Sequence, residues 1–119
     1  MNTKEVVEKW FEKWEKGDYL HLPITDDFRH ISPFGTIDGK EAYLALVSRN
    51  EDKFLGQTFI LREGIYENER ACVRYTARQG DDFTLEVSEW YHFDGGLIRE
   101  VIAYYHIGEI RKDRELELE

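Results

Sequence analysis

The stretch from Phe83 to Ile107 constrains the fold most, because it predicts two long antiparallel strands joined by a tight turn. Apolar residues alternate with polar ones on both sides of Asp94-Gly95-Gly96, a pattern typical of a β-hairpin. Side chains two positions apart share a face of a strand. On the first strand, one such face carries Phe83, Leu85, Val87, Glu89, Tyr91 and Phe93. A carboxylate in the middle of an apolar face indicates a polar group in a pocket, so Glu89 is the first candidate functional residue.

The length of the turn decides which residue lies opposite Glu89. A three-residue loop would pair Phe93 with Leu97 and place Val101 opposite Glu89. The alternative loop would place Glu100 there, and like charges directly opposite each other are destabilising. We therefore expect the three-residue loop, which places on the face of Glu89 the side chains of Val101, Ala103, Tyr105 and Ile107.

The size and charge of the chain limit its possible partners. Its 119 residues suit a single domain with a core of its own. The net charge of −9 argues against binding to nucleic acids or to anionic membranes, since both require a basic surface. No apolar run approaches the roughly 20 residues that span a bilayer, and the N-terminus lacks the pattern of a signal peptide. We therefore expect a cytoplasmic protein.

The residues that usually hold metals and cofactors show none of the required spacings. Cys72 is the single cysteine, which excludes an internal disulfide or a cysteine-based metal site. No metal-binding pattern such as HExxH involves the four histidines, which are His21, His30, His92 and His106. The glycines at 95 and 96 belong to a hairpin turn and not to a phosphate loop. We expect neither a metal nor a cofactor.

Two amphipathic helices precede the remaining strands. Asn2 and Glu5 form a capping box for a helix over residues 2–16, and Gly17 is suited to end it. The apolar stripe of this helix comprises Val6, Val7, Trp10, Phe11 and Trp14. The second helix is predicted to begin after Asp38 as the capping residue and to end by Asn50.

A short strand is predicted over Phe28 to Ser32, and a turn over residues 34–39 leads into the second helix. Further strands are predicted over Gln57 to Tyr66, with a possible bulge at Gly64, and over Arg70 to Arg78. On the latter strand, one face carries Ala71, Val73, Tyr75 and Ala77, and we expect the helices to cover this face. Helices followed by a strand meander indicate an α+β domain with N-terminal helices packed on a curved antiparallel sheet.

The order of several motifs resembles the NTF2-like superfamily, in particular its SnoaL-like and ketosteroid-isomerase-like branches. These motifs are the opening helix with Trp14-Glu15-Lys16-Gly17-Asp18, the segments His30 to Gly35 and Ile37 to Glu41, and Tyr91 to Ile98 followed by Ala103 to His106. The match extends over nearly the whole chain. The resemblance implies a cone-shaped single domain over residues 1–110, followed by a charged tail over residues 111–119.

The resemblance also implies an apolar pocket between the helices and the sheet, and a homodimer through the outer face of the sheet. Arg70, Arg74, Arg78, Glu86, Trp90 and His92 would then lie on or near the dimer face. The expected ligand is a small hydrophobic molecule. The residues expected to line its pocket are Trp10, Trp14, Phe28, Ser32, Tyr43, Tyr75, Tyr91 and Tyr105.

The residues that ketosteroid isomerases use are only partly present. Ser32-Pro33 stands at the position of the catalytic Asp-Pro step, and Trp10 falls near the position of the catalytic tyrosine. Only the acid position is matched, by Glu89. A buried glutamic acid can remain neutral near pH 7, and a neighbouring histidine is a natural base. The expected catalytic pair is therefore His30 as the base and Glu89 as the acid.

Three functions remain open from the sequence. The first is a domain that binds a small hydrophobic ligand. The second is a cofactor-independent isomerase, cyclase or dehydratase in which His30 and Glu89 transfer protons. The third is a structural dimerisation module without a ligand, whose cavity is filled by its own aromatic side chains. The alternative to a catalytic role for His30 and Glu89 is an internal hydrogen bond between them, or a bulge that turns Glu89 to solvent.

Overall fold

The computed structural model describes residues 1–106 and residue 116. Within these residues the helices are α1 (Thr3–Lys16), α2 (Lys40–Arg49) and α3 (Glu51–Phe54), with a 3₁₀ turn at Tyr19–His21. The strands are β1 (Ile24–Ser32), β2 (Gly35–Asp38), β3 (Gln57–Tyr66), β4 (Arg70–Gln79), β5 (Phe83–Asp94) and β6 (Leu97–Tyr104). The predicted α+β class is confirmed. The predicted tail over residues 111–119 lies outside the described residues, except for Leu116.

One curved, open sheet forms the body of the domain, with the strand order β2-β1-β6-β5-β4-β3. The four strands from β3 to β6 form the predicted antiparallel meander. The strand β1 pairs in parallel with β6, and β2 continues the sheet as an antiparallel hairpin partner of β1. The helices α1 and α2 pack on the same side of the sheet, which gives the cone expected from the resemblance.

The helix α1 begins and ends as predicted. The Asn2 side chain accepts a hydrogen bond from the Glu5 backbone, and the Glu5 carboxylate accepts one from the Asn2 backbone, which completes the capping box. Gly17 ends the helix with φ 73°, a left-handed conformation that favours glycine. The predicted apolar stripe is buried against the sheet in full.

The region before α2 differs from the prediction. The strand β1 begins at Ile24 and not at Phe28, and the predicted turn over residues 34–39 contains the strand β2. Asp38 does not cap α2, because its carboxylate accepts a hydrogen bond from Arg29 Nε at 2.7 Å across the β1–β2 pair. Gly39 takes the capping position with φ 97° and supplies no side-chain bond. The strand β2 was missed because its four residues show no clear alternation.

The register of the β5–β6 hairpin also differs from the prediction. Asp94 pairs with Leu97, so the turn consists of two glycines with positive φ, a geometry that matches the twist of the strands. Arg99 then forms a β-bulge, because Phe93 pairs with Ile98 and His92 with Glu100. As a consequence Ala103, and not Val101, lies opposite Glu89.

The inner face of the sheet nevertheless carries the predicted side chains, because the bulge restores their alternation. On β4 the buried residues are Ala71, Val73, Tyr75 and Ala77, and on β6 they include Val101 and Ala103. The outer face carries the charged residues of β4 and a partly exposed Trp90. In β3 the bulge falls at Arg62 and not at Gly64, because the pairing shifts between Leu61 and Glu63.

Candidate functional site

Glu89 lies on the inner face of β5, and only 4% of its surface is exposed. Tyr91 donates a hydrogen bond to Glu89 Oε1 at 2.6 Å, and Tyr75 donates one to Oε2 at 3.0 Å. The Trp10 indole also hydrogen-bonds to the carboxyl group. Among the described residues, His30 is not a partner of this carboxyl group, and the low exposure of Glu89 shows that no bulge turns it to solvent.

Two opposing effects set the acidity of Glu89. Burial raises its pKa, because the charged form loses contact with water. The hydrogen bonds from Tyr91, Tyr75 and Trp10 lower the pKa, because they stabilise the carboxylate. Burial is the larger effect, so the pKa of Glu89 stays above its usual value and the group is easier to protonate than an exposed glutamate.

His30 lies on β1, at the boundary between the core and a cavity. Its ring stacks on the Tyr43 ring, with centroids 5.0 Å apart and an interplanar angle of 26°. Burial lowers the pKa of His30 to about 4, so the imidazole is neutral at pH 7. No described residue forms a hydrogen bond with either ring nitrogen. A neutral imidazole has one donor and one acceptor nitrogen, and both are therefore available to a ligand.

A cavity of about 160 Å³, called the inner cavity below, lies between α1 and the sheet. Glu89 and His30 both reach it, and aromatic rings form most of its wall. The lining residues are Trp10, Phe11, Trp14, His30, Tyr43, Phe54, Gln57, Phe59, Tyr75, Ala77, Leu85, Val87, Glu89, Ala103 and Tyr105.

A second cavity of about 240 Å³, called the outer cavity below, lies between the β1–β2 hairpin and α2. It shares four wall residues with the inner cavity, so the two adjoin. The lining residues are His30, Ser32, Phe34, Gly35, Thr36, Ile37, Tyr43, Leu46, Phe54, Tyr105 and Leu116.

Tyr43 is the most buried polar group in the shared wall, with 2% of its surface exposed. Its hydroxyl forms no hydrogen bond with the described residues, and burial raises its pKa well above the usual value. The nearby Tyr105 hydroxyl hydrogen-bonds to Ser32, and burial also raises the pKa of Tyr105. Tyr43 can therefore donate a hydrogen bond to a ligand in either cavity.

The predicted site residues fall into three groups. His30, Glu89, Trp10, Trp14, Tyr43, Tyr75 and Tyr105 meet at the inner cavity, while Ser32 lies at the outer one. Phe28 and Tyr91 are fully buried behind the wall. The Phe28 ring supports that of Tyr43 at 5.0 Å, and Tyr91 supports the Glu89 carboxyl group.

Several lining residues were not predicted. Phe54 belongs to the short helix α3, which was not predicted because the polar residues Glu51-Asp52-Lys53 were interpreted as the end of the second helix. Ala77 and Ala103 were expected on the inner face, but they were not recognised as the small side chains that leave room for a cavity. Leu116 follows nine residues that lie outside the described part of the chain.

Other surfaces offer weaker sites. A groove of about 920 Å³ lies at the turn end of the domain, apart from Glu89, and charged residues of both signs such as Lys4, Glu69 and Arg99 line it. Among the residues that the structure describes, no three His, Cys, Asp or Glu side chains converge to hold a metal ion. In that same part of the chain, no helix is long and apolar enough to cross a membrane.

The open curved sheet, the helices on its concave side and the aromatic cavity define a protein of the NTF2-like class. The sequence profile of the SnoaL-like domain family matches residues 7–101, and the chain therefore belongs to the SnoaL-like domain family. The resemblance stated from the sequence motifs is confirmed.

Solved structures share this fold. An NTF2-like protein of unknown function from Burkholderia pseudomallei superposes with a TM-score of 0.80 at 20% identity, over 92% of this chain and 94% of its own. A proposed polyketide cyclase from Pseudomonas putida gives a TM-score of 0.76 at 18% identity, over 92% and 95%. A proposed ketosteroid isomerase from Kribbella flavida gives 0.73 at 18% identity, over 87% and 77%. No protein with a curated description matches the sequence significantly.

Proposed function

We propose that the protein binds a small hydrophobic molecule in the inner cavity and orients it by hydrogen bonds to Glu89 and His30. The observation that carries this proposal is a buried carboxyl group that faces an aromatic-lined cavity. Ligand sites are typically apolar clefts with a few convergent polar groups and shifted pKa values. The inner cavity has this composition.

Glu89 retains capacity to bind a ligand after its internal bonds are counted. A carboxylate offers about four acceptor positions, and Tyr75, Tyr91 and Trp10 occupy three of them. The remaining position suits a hydroxyl or enol donor when Glu89 is ionised. A protonated Glu89 could instead donate its proton to a carbonyl oxygen.

Acetophenone is a suitable probe, because it joins one aromatic ring to one carbonyl group. A ligand that binds only the folded state stabilises it by RT ln(1 + [L]/Kd), about 2.7 kcal/mol at 100 times Kd. We therefore expect acetophenone to raise the melting temperature in a thermal-shift assay. Related hydrophobic ketones and aromatic alcohols should extend the panel.

A matched pair of variants on β4 locates the binding. Ala77→Leu fills the inner cavity and should abolish the shift, whereas Arg78→Leu, one residue on and exposed on the outer face, should retain it. If acetophenone raised the melting temperature of both variants equally, the ligand would bind outside the inner cavity. If no compound of the panel produces a shift, the structural module without a ligand becomes the better reading.

A second candidate function is proton transfer on a bound carbonyl compound, as in an isomerase, cyclase or dehydratase. The specific support is that Glu89 and His30 line one cavity with shifted pKa values in the absence of a bond between them. A His30 of pKa about 4 is a weak base. We therefore favour Glu89 as the proton acceptor, with His30 and Tyr43 as hydrogen-bond partners of the substrate oxygen.

In this reaction the proton of the α-carbon moves to the Glu89 carboxylate, and the electron pair of the C–H bond forms an enolate. The enolate oxygen accepts hydrogen bonds from Tyr43 or from neutral His30. The protonated Glu89 carboxyl group then exchanges its proton for a solvent deuteron, and transfer of this deuteron to the α-carbon completes the isotope exchange. General base catalysis contributes about 10²- to 10⁴-fold.

Exchange of the α-protons of acetophenone in D₂O, followed by proton NMR, measures this step. Glu89→Gln should slow the catalysed exchange by at least about 100-fold, and His30→Gln by about tenfold, because a base supplies more than a hydrogen-bond partner. The opposite order would restore His30 as the base, which is the role expected from the sequence. A rate equal to that of the solution without protein would remove the enzyme candidate.

We also propose a homodimer through the outer face of the sheet. Ile65, Cys72, Trp90 and Ile102 lie opposite one another across four strands and form an apolar row. An ion pair of 2.9 Å between Arg74 and Glu63 flanks that row, and a partly exposed aromatic beside charged residues suits an interface anchor. In sedimentation equilibrium, Trp90→Glu should yield monomers and Asn68→Glu, in the β3–β4 turn, should not.

A further inference from the structure

We propose that the natural ligand is elongated and spans both cavities, with a ring in the inner cavity, an oxygen at the shared wall and an aliphatic extension in the outer cavity. This inference rests on the proposed function and defines the class of ligand. It assigns to the β1–β2 hairpin and to α2 a role in ligand selection.

The volumes argue for a ligand that occupies both spaces. A dry apolar cavity of about 150 Å³ holds one benzene ring, so the inner cavity of 160 Å³ is full with a single ring. Sites for larger molecules have volumes of about 300–1,000 Å³. The inner cavity alone lies below this range, and the outer cavity, with its 240 Å³, supplies the remaining space.

The shared wall places the polar contact near the middle of such a ligand. Tyr43 is a buried residue that borders both cavities, and its hydroxyl has no hydrogen bond to a described residue. The neutral His30 ring stacks on it with both nitrogens unbonded within the described chain. A ligand oxygen at this level would accept a hydrogen bond from the Tyr43 hydroxyl.

The outer cavity suits an aliphatic group. Ile37, Leu46 and Leu116 give it apolar walls, and the exposed Phe34 ring borders it at the tip of the hairpin. The polar side chains that line this cavity are those of Ser32 and Thr36 and those of the shared wall.

A series of phenyl alkyl ketones from acetophenone to hexanophenone tests the inference directly. Each ketone carries a ring, a carbonyl group and an alkyl chain in the proposed order. Burial of one methylene contributes about 0.8 kcal/mol, so we expect Kd to fall by about fourfold per added carbon until the outer cavity is full. Isothermal titration calorimetry measures each Kd.

Two variants separate the cavities. Leu46→Phe fills the outer cavity from α2 and should abolish the gain along the series, while the Kd of acetophenone stays within about twofold. Ile37→Phe enters the same cavity from β2 and provides the same test if Leu46→Phe does not fold, as judged by circular dichroism. Both side chains line the outer cavity and not the inner one.

A third variant tests the position of the oxygen. Tyr43→Phe should weaken the binding of butyrophenone by about three- to tenfold, the usual range for one hydrogen bond, and leave the binding of pentylbenzene unchanged. An equal loss for both compounds would mean that Tyr43 acts by packing alone, which contradicts the proposed placement.

The outcomes distinguish the inference from the proposed function. If acetophenone binds but longer ketones bind no better, the extension does not enter the outer cavity and this inference is wrong while the proposed function stands. The same conclusion follows if the gain persists in Leu46→Phe and Ile37→Phe. If no ketone of the series binds, both the inference and the proposed binding of carbonyl compounds fail.

Discussion

The inner face of the sheet has two halves that differ in packing although their sequence patterns are alike. In the half towards the β5–β6 turn, called the closed half, Val73, Tyr91, Ile98 and Val101 are each at most 1% exposed. In the other half, called the open half, Tyr75, Ala77, Leu85 and Ala103 are buried but line the inner cavity. Glu89 lies at the boundary between the halves.

The lengths of the elements explain the difference. The 14 residues of α1 rise about 21 Å, whereas the 12 residues of β5 extend about 40 Å, so one helix cannot cover the whole strand. Val6 and Val7 fill the closed half, and Trp10 and Trp14 reach over the open half with rings in edge contact. A regular alternation of apolar residues thus specifies which face of a strand is buried, but it does not specify whether that face is packed tightly or borders a cavity.

The largest expected effect is a loss of stability, which we compare between a phenylalanine packed behind the cavity wall and a phenylalanine that lines the cavity. Phe28→Ala should lower the free energy of unfolding by about 3–5 kcal/mol, because Phe28 is fully buried between packed rings. Phe54→Ala should lower it by only about 1–2 kcal/mol, because the half-buried Phe54 already borders empty space. Urea unfolding monitored by tryptophan fluorescence compares the two, and equal losses would mean that the cavities are closed in solution.

The next effect is the pH dependence that His30 introduces into the open half. Its folded pKa of about 4 lies below the unfolded value of about 6.5, so the unfolded chain binds the proton more readily. The contribution of this group is fully present above pH 6.5 and is lost as the pH falls towards 4. Between pH 7.5 and 4.5, the free energy of unfolding should fall by on the order of 2 kcal/mol more in the wild type than in His30→Phe.

Glu89 titrates in the opposite sense and provides the internal control. Its pKa is raised on folding, so its contribution is present below the unfolded pKa and is lost as the pH rises through the folded pKa. In Glu89→Gln, the free energy of unfolding should therefore fall more steeply with falling pH than in the wild type, because the opposing contribution of Glu89 is removed. If the wild type, His30→Phe and Glu89→Gln share one pH profile, the assignment of both titrations is wrong.

The smallest expected effect is the loss of stability when the residues that precede α1 and α2 are replaced. Asn2→Ala removes half of the capping box of α1 and should cost about 1 kcal/mol. Asp38→Ala should cost less than about 0.5 kcal/mol, because it removes only an exposed ion pair with Arg29 and no cap of α2. Thermal unfolding of both variants checks this order, and a larger loss from Asp38→Ala would restore the cap predicted from the sequence.

Much of the fold could be predicted because it depends on local patterns. The capping box at Asn2, the alternation around Glu89 and the two glycines of the hairpin each specify a local structure. The strand β2 and the helix α3 could not be predicted, since the four residues of each carry too little periodicity. The hairpin register was wrong because the bulge at Arg99 depends on the fit between the turn and the strands, which the pattern of polar and apolar residues does not encode.

The candidate site was predictable in part for the same reason. Glu89 was found because it breaks an apolar pattern, and the aromatic residues were expected on its face. The division into two cavities depends on the small size of Ala77 and Ala103 and on the distance that the β1–β2 hairpin keeps from α2. These are properties of the assembled domain.

The bulge at Arg99 limits which insertions and deletions the β5–β6 hairpin can accept. It supplies one unpaired residue that brings the two strands back into phase beyond a two-residue turn. Loss of a single residue from the hairpin tip, with the bulge kept, would exchange the two faces of β6, so that Ile102 and Tyr104 would point inward and Val101 and Ala103 outward. Insertions and deletions here preserve the interior only in steps of two, or when a second irregularity compensates for the first.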